Sequence, residues 1–349
     1  MPKRSSRSIS SSQPTIFDVA KEAGVAISTV SLALHGDEHV SAKTRQAVLK
    51  AALKLRYQPN LAAQSLARRQ TNLIAVCGWY LPDTLDENSY APIQMLMGIQ
   101  ARLKGTRYAI YLVNWSYQPE EHRRLLEDFN EQRFICGSIW LTSSLEQGDL
   151  TLIRRSAMPV VLAEAVHPEL DSVALDNIEA ARIGAQHLLR NGRPLIVVTS
   201  LPGLVQSERL EGVRRAVAEA GQEWKGVRRY VAAHYSYNQG LHIAQQLAPE
   251  LKRSKRGASI FCLAGDICAI GLLTGLRSAG LRIPGLVAVL GFDGMNQGQY
   301  SVPTLSTVAQ PLNEIGFKAA SALLDRLDRP ESPQQRLRLQ AKLVLRASA

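Results

Sequence analysis

The chain has 349 residues, 46% hydrophobic and 20% charged, with a mean hydropathy of -0.08; it is long enough for more than one compact unit and has no apolar run approaching the roughly 18 residues of a membrane span. Lys and Arg number 41 against 30 Asp and Glu, a net charge of +11, so an acidic partner is expected. Cys77, Cys136, Cys262 and Cys268 lie in apolar surroundings without a CxxC pair, which excludes a disulfide framework and suits a reducing compartment.

Most of the surplus charge is at the front: residues 1–70 hold eleven Lys/Arg and four Asp/Glu. Residues 1–13 read as a disordered basic tail. A secretory leader needs an apolar run behind such a tail; none follows, and a cytoplasmic location is expected. Thr15 and Asp18 then resemble a capping box, opening a helix over 16–23 that ends at Gly24. A second helix is predicted over 27–34, and a third from behind Ser41 to Leu55 with Val48, Ala52 and Leu55 inward. Lys43, Arg45, Lys50, Lys54 and Arg56 are left for the outside. Two short helices around a Gly-containing turn, with a third in support, describe a helix-turn-helix over residues 14–58.

The run Thr15 to Leu66 resembles the DNA-binding headpiece of the LacI/GalR family of bacterial transcription regulators. The matches include Asp18-Val19-Ala20, Ala23-Gly24-Val25, Thr29-Val30-Ser31, Val40-Ser41, Thr44-Arg45, Tyr57 and Pro59-Asn60, without a gap. The resemblance implies that the second helix enters the major groove, with Ile27, Ser28 and Leu32 reading bases and Thr29 beside them. Two departures stand out. Ala26 replaces the usual Ser or Thr cap, and Leu32 replaces a common Arg, so the operator of relatives does not transfer. Residues 59–71 resemble the family's hinge helix and linker. At seven or so residues, Leu61 to Ala67 is too short to be stable alone, since isolated helices need about 12–15; it is expected to order on DNA. There Asn60 and Ala63 contact the duplex and Leu66 wedges into the minor groove.

From Asn72 the pattern changes to short apolar runs, LIAVCGW, YAIYLVN, GSIWLT, PVVLAE, SVAL, LIVVTS, ASIFCLA and LVAVLGF. Between them lie helical stretches near 92–104, 120–131, 178–190, 207–219, 238–247 and 268–279. Repeated strand and helix predict two doubly wound parallel-sheet α/β subdomains with a ligand cleft at the carboxyl ends of their strands. Residues 72–349 also resemble the family's effector-binding and dimerisation core, similar in fold to periplasmic binding proteins. This resemblance is carried by LDNIEAARIGAQHLLRNGR, SERLEGVRRAVAEAG, AGDICAIGLLTGLRSAGLRIP and VLGFDGMNQGQYSVPTLSTVAQP. It implies three crossings between subdomains, expected near Ser172, Val302 and Pro330. It also implies an effector site of Arg209 opposite Asp293, with Glu164, Tyr235 and Trp79 nearby. Gly265 and Gly294 replace polar family residues, so the ligand is expected to differ from those of familiar members.

The function expected is that of an effector-controlled DNA-binding regulator, a repressor, acting as a homodimer on double-stranded operator DNA. Its effector is expected to be sugar-like or nucleobase-like. A solute-binding receptor without DNA activity would use the same cleft, but with an export signal in place of the headpiece. An enzyme is disfavoured because no nucleophile, base, G-x-G-x-x-G or P-loop constellation appears, and no cofactor or membrane partner is expected. His35 and His39 lack a third ligand, so no metal site is assigned. Lys252, Arg253, Lys255 and Arg256 read as a solvated helix end. Met95 and Met97 read as core or dimer surface.

Overall fold

A computed structural model describes residues 14–34, 37, 39–57, 72–78, 90–114, 123–124, 127–129, 131, 134–142, 145, 147–155 and 158–349. They fall into two compact units, one within 1–71 and one within 72–349.

The first unit holds α1 (Ile16–Ala23), α2 (Ile27–Leu34) and α3 (Ala42–Leu55). The Asp18 carboxylate accepts from the Thr15 backbone N–H at 2.7 Å and from the Thr15 hydroxyl at 2.8 Å. These bonds hold the Asp18 carboxyl below its ordinary range. Gly24 turns the chain at φ 65, a left-handed conformation that glycine adopts without a steric cost. The Ser41 hydroxyl accepts from Thr44 N–H at 3.2 Å and starts α3. Val19, Val30 and Val48, one from each helix, are fully buried and meet in one core. Leu55 is only partly buried beside them. Arg45 does not join the outer cations. It is half-buried, and its Nη2 donates to the Asp37 carbonyl at 2.6 Å, tying α3 to the segment after α2.

The second unit contains two six-stranded sheets. The first orders its strands β11-β5-β4-β3-β1-β2, all parallel, from β1 (Leu73–Gly78), β2 (Ala109–Asn114), β3 (Gly137–Thr142), β4 (Val160–Glu164), β5 (Asp171–Leu175) and β11 (Arg336–Leu339). Helices α4 (Tyr90–Leu103), α5 (Gln147–Arg155) and α10 (Leu312–Asp328) accompany it. The second orders β12-β10-β9-β8-β6-β7, from β6 (Leu195–Thr199), β7 (Arg228–Val231), β8 (Ala258–Cys262), β9 (Val287–Asp293), β10 (Ser306–Ala309) and the antiparallel β12 (Lys342–Val344). Helices α6 (Asn177–Leu189), α7 (Leu204–Glu219), α8 (Tyr237–Arg253) and α9 (Asp266–Ser278) flank it. The strands LIVVT and ASIFC are buried throughout, as parallel strands covered on both faces must be. Cys262 and Cys268 belong to that core.

The crossings lie later than the sequence predicts. The chain leaves the first sheet at Asp176, behind β5, rather than near Ser172, which is buried inside that strand. It returns at 310–311, between β10 and α10, rather than near Val302, which precedes β10 in the same subdomain. The last crossing, at 340–341, joins β11 to β12; Pro330 only connects α10 to β11 within the first subdomain. Sequence reasoning also overlooked α5, α10, β7, β10 and β11. β7 and β11 are four-residue edge strands with exposed Arg side chains, which give no buried run to detect. α10 does carry a signal, the helically spaced Leu312, Ile315, Ala319 and Leu323, all buried.

Candidate functional site

Each unit carries one candidate surface. On the first unit, α2 turns Val30 and Ala33 into the core and leaves the opposite side open. Ile27 is 41% exposed, Leu32 is 42% exposed, Ser28 is exposed and Thr29 is half-buried. The helix therefore shows a mainly apolar outer face, while Lys43 and Lys50 of α3 are exposed and Lys54 pairs with Glu22 of α1 at 2.6 Å. Asn60, Ala63 and Leu66 lie outside the described residues. Ala26, exposed at the start of α2, supplies only its carbonyl, which accepts from Val30 N–H at 3.1 Å. An Ala26→Ser variant is expected to gain about 1 kcal/mol of headpiece stability by capping a free helix N–H. Thermal melts followed by far-ultraviolet circular dichroism check this, and an unchanged midpoint refutes it.

On the second unit, Glu164, Arg209 and Asp293 converge where the carboxyl ends of β4 and β9 face the start of α7. Arg209 is 5% exposed. Its Nε donates to Asn177 Oδ1 at 3.0 Å, its Nη1 to the Leu263 carbonyl at 3.3 Å, and its guanidinium lies 4.0 Å from the Phe292 ring centroid. Nη2 has no partner among the described residues. Asp293, 8% exposed, accepts from Gln310 Nε2 at 2.7 Å. Burial raises the Asp293 carboxyl, while the Arg209 charge acts against the rise. Glu164 makes no hydrogen bond with the described residues, and burial pushes its carboxyl up to about 7 despite Arg209. It lines a small cavity of about 10 Å³ with Leu175, Asn177, Val205, Gln310 and Ile315. Both carboxylates stand on left-handed backbone, Glu164 at φ 87 and Asp293 at φ 137, which strains an L residue.

Asp266 explains how Asp293 is held. This fully buried carboxylate accepts from Thr307 Oγ1 at 2.8 Å, Gly294 N–H at 2.9 Å and Met295 N–H at 2.7 Å, fixing the turn that carries Asp293. Burial and the neighbouring Asp293 push the Asp266 carboxyl up to about 7. The two glycines noted in the sequence are required here. A Cβ at Gly265 would lie 2.8 Å from Asp293 Oδ2, and one at Gly294 would lie 2.6 Å from the Ala309 Cβ. The Tyr235 ring also borders Gly265, 3.7 Å from a Cβ placed there, and its hydroxyl pairs with Ser200 Oγ at 2.8 Å. Trp79 lies outside the described residues.

Asn177, Gln310 and Asp266 were missed from the sequence, where three common polar residues carry no pattern. Asn177 also begins a relay. Its Nδ2 donates to Glu208 Oε2 at 3.1 Å, and Glu208 Oε1 accepts from Arg338 of β11 at 3.0 Å. The cleft arginine is thereby linked to the edge strand of the other sheet.

A raised carboxyl sets the sign of a pH effect. Above its ordinary 4.5, Glu164 holds a proton in the folded state that the unfolded chain has released. Its share of stability is therefore complete below about 4.5 and is lost as pH rises through about 7. Glu164→Gln is expected to be more stable relative to the parent at pH 8 than at pH 5, by up to about 3 kcal/mol. Urea unfolding at both pH values checks this, and parallel shifts would refute it.

Residues 15–60 match the sequence family of bacterial regulatory proteins, lacI family, and residues 185–349 match the periplasmic binding protein-like domain. The ribose operon repressor of Halalkalibacterium halodurans is 30% identical, over 95% of this chain and 96% of its own length. Catabolite control protein A of Priestia megaterium is 27% identical, over 96% of this chain and 98% of its own. The crystal structure of a lac repressor dimer bound to operator and the anti-inducer ONPF shares the fold. Its TM-score is 0.81 at 24% identity, covering 96% of this chain and 98% of that one.

Proposed function

The chain belongs to the lacI family of bacterial regulatory proteins, as an effector-controlled DNA-binding transcriptional repressor, and we propose which of its residues perform each task. Residues 14–58 form the DNA-binding domain and 59–71 the hinge and linker. Residues 72–349 form the effector and dimerisation domain. Ile27, Ser28 and Leu32 read base edges, with Thr29 beside them; Asn60, Ala63 and Leu66 contact DNA from the hinge. The protein acts in the cytoplasm as a homodimer, which doubles the few base contacts of one headpiece over two half-sites.

The effector is a neutral, hydroxyl-bearing small molecule of sugar-like size and polarity. Arg209 donates to one of its oxygens through the open Nη2, and Glu164 and Asp293 accept from its hydroxyls. Tyr235 supplies an aromatic edge, and Trp79 contributes from behind β1. The observation that carries this reading is the half-buried Glu164 carboxylate, without a hydrogen bond among the described residues and close enough to Arg209 to feel its charge. A carboxylate surplus there disfavours anionic ligands. Among the described residues, no helix is long and apolar enough to cross a membrane, and no His, Cys, Asp and Glu group could hold a metal ion.

Selection from random duplex DNA is expected to return a palindrome with thymine-containing half-sites, and its affinity should fall steeply with salt. Asymmetric single sites would refute the dimeric reading. Calorimetric titration with a panel of pentoses, hexoses, nucleosides and sugar phosphates tests the cleft. Preference for a phosphorylated ligand over its neutral parent would overturn the effector assignment.

A further inference from the structure

The connections that lead from α6, α7, α8 and α9 into the next strands lie along one edge of the second sheet. This edge is at the amino ends of the strands, opposite the cleft. Strands β7, β6, β8 and β9 are consecutive neighbours, so at about 4.8 Å per strand the edge is about 14 Å wide.

Its chemistry has one sign. Arg190 and Arg193 follow α6, Lys225 leads into β7, and Arg228 and Arg229 begin that strand. Lys252 and Arg253 end α8, with Lys255 and Arg256 behind them, and Arg277 and Arg282 flank the end of α9. Eleven cations thus accompany three carboxylates, Glu219, Glu223 and Glu250, whereas the rest of 72–349 carries more carboxylates than cations. Helix carboxyl ends attract cations, but four such ends, each about half a negative charge, offset only about two of this surplus.

All three carboxylates are already engaged: Glu250 with Arg228, Glu223 with Lys225, and Glu219 with Arg182 and Gln186. Arg193 donates to the Pro284 and Gly285 carbonyls, and Arg229 lies over the Trp224 ring. The remaining seven cations are exposed and make no hydrogen bond or ion pair with the described residues. None of the large exposed apolar side chains lies in these connections. A protein partner is anchored mainly by aromatic groups and arginines packed into desolvated pockets; this edge has arginines but exposes no large apolar group to build such a pocket around them. An array of Lys and Arg alone suits a phosphate backbone.

We propose that this edge is a second DNA-contact surface, independent of base sequence and separate from α2. At 3.4 Å per base pair it spans about four base pairs of a duplex. A regulator seated on its operator through the headpiece could then hold a second DNA segment by phosphates alone.

Acetylation of lysines in the full-length protein, read by mass spectrometry with and without random-sequence duplex DNA, tests this. Lys252 and Lys255 should be protected several-fold. The protection should disappear between about 50 and 300 mM salt, and Lys104 should react equally throughout. Lys43 and Lys50 report separately on the headpiece. If they are protected while Lys252 and Lys255 react unchanged, the second surface is refuted and the headpiece assignment stands. If only Lys252 and Lys255 are protected, the headpiece assignment fails instead. Equal protection of Lys252 and Lys255 by polyglutamate of the same total charge would overturn DNA as the occupant.

Discussion

Replacing Arg209 with alanine is expected to cost the second unit about 3–5 kcal/mol at pH 8, because among the described residues it is the cation facing the buried Asp293 and the half-buried Glu164. The guanidinium also satisfies Asn177 and the Leu263 carbonyl and covers the Phe292 ring, so a packing loss adds to the electrostatic one. The loss should shrink at pH 5. Glu164, with its carboxyl near 7, is then protonated, and Asp293 is shifted in the same direction. Fewer unpaired charges remain when the arginine is gone. Urea unfolding of parent and variant at pH 5 and pH 8 gives the four numbers needed. Arg209→Lys keeps a charge but not the two-directional fork; it should regain part of the stability while any effector response stays lost. A destabilisation of the same size at both pH values would show that the carboxylates do not feel this arginine.

The second large effect is expected at Leu32. An arginine at this position could pair with guanine N7 and O6, a contact that discriminates by roughly 1–3 kcal/mol. Leucine offers no donor and is 42% exposed, and Ile27, at 41%, offers none either. The base it meets should be chosen weakly, through a thymine methyl. Leu32→Arg should therefore move one symmetric pair of operator positions towards guanine, by about tenfold or more. The salt dependence should change little, since the outer phosphate contacts are untouched. Parallel selections from random DNA decide the matter; identical base preferences at every position would show that Leu32 does not face the bases.

How much of this was legible beforehand follows from the kind of signal each element leaves. α2 could be placed from Val30 and its neighbours, because a helical period marks the buried side and so, by exclusion, the reading side. Buried strands such as LIVVT and ASIFC declare themselves by unbroken apolar runs. Arg45 was misplaced because charge suggests exposure, whereas its guanidinium closes a turn of the headpiece. Arg209, Asp293 and Glu164 were nominated through the family resemblance alone; nothing in their local sequence announces a cleft. Asn177 and Gln310 escaped notice because their importance comes from meeting Arg209 and Asp293, which only the folded backbone arranges. The crossings were displaced for a related reason: the apolar run of β5 does not say which sheet it joins, and it pairs with β4 and β11 of the first, while β10, which pairs with β9, leaves too short a run to detect.

The three crossings also set a schedule for synthesis. The headpiece helices are complete once residue 55 has been made, so that unit can form while most of the chain is still unborn. Neither sheet has this freedom. α10, which packs on β3, β4 and β5, and the outer strand β11 come from residues 312–339, while β12, which completes the second sheet, comes later still. Arg326 of α10 closes on the buried Asp171 of β5, a partner translated long before it. During translation both half-built sheets must wait with an open edge, and domains that cannot close until the end are those most exposed to misassembly. Truncation ahead of residue 336 removes β11 and β12 together and should thus damage both halves of the core, whereas loss of residues 340–349 alone should damage the second sheet.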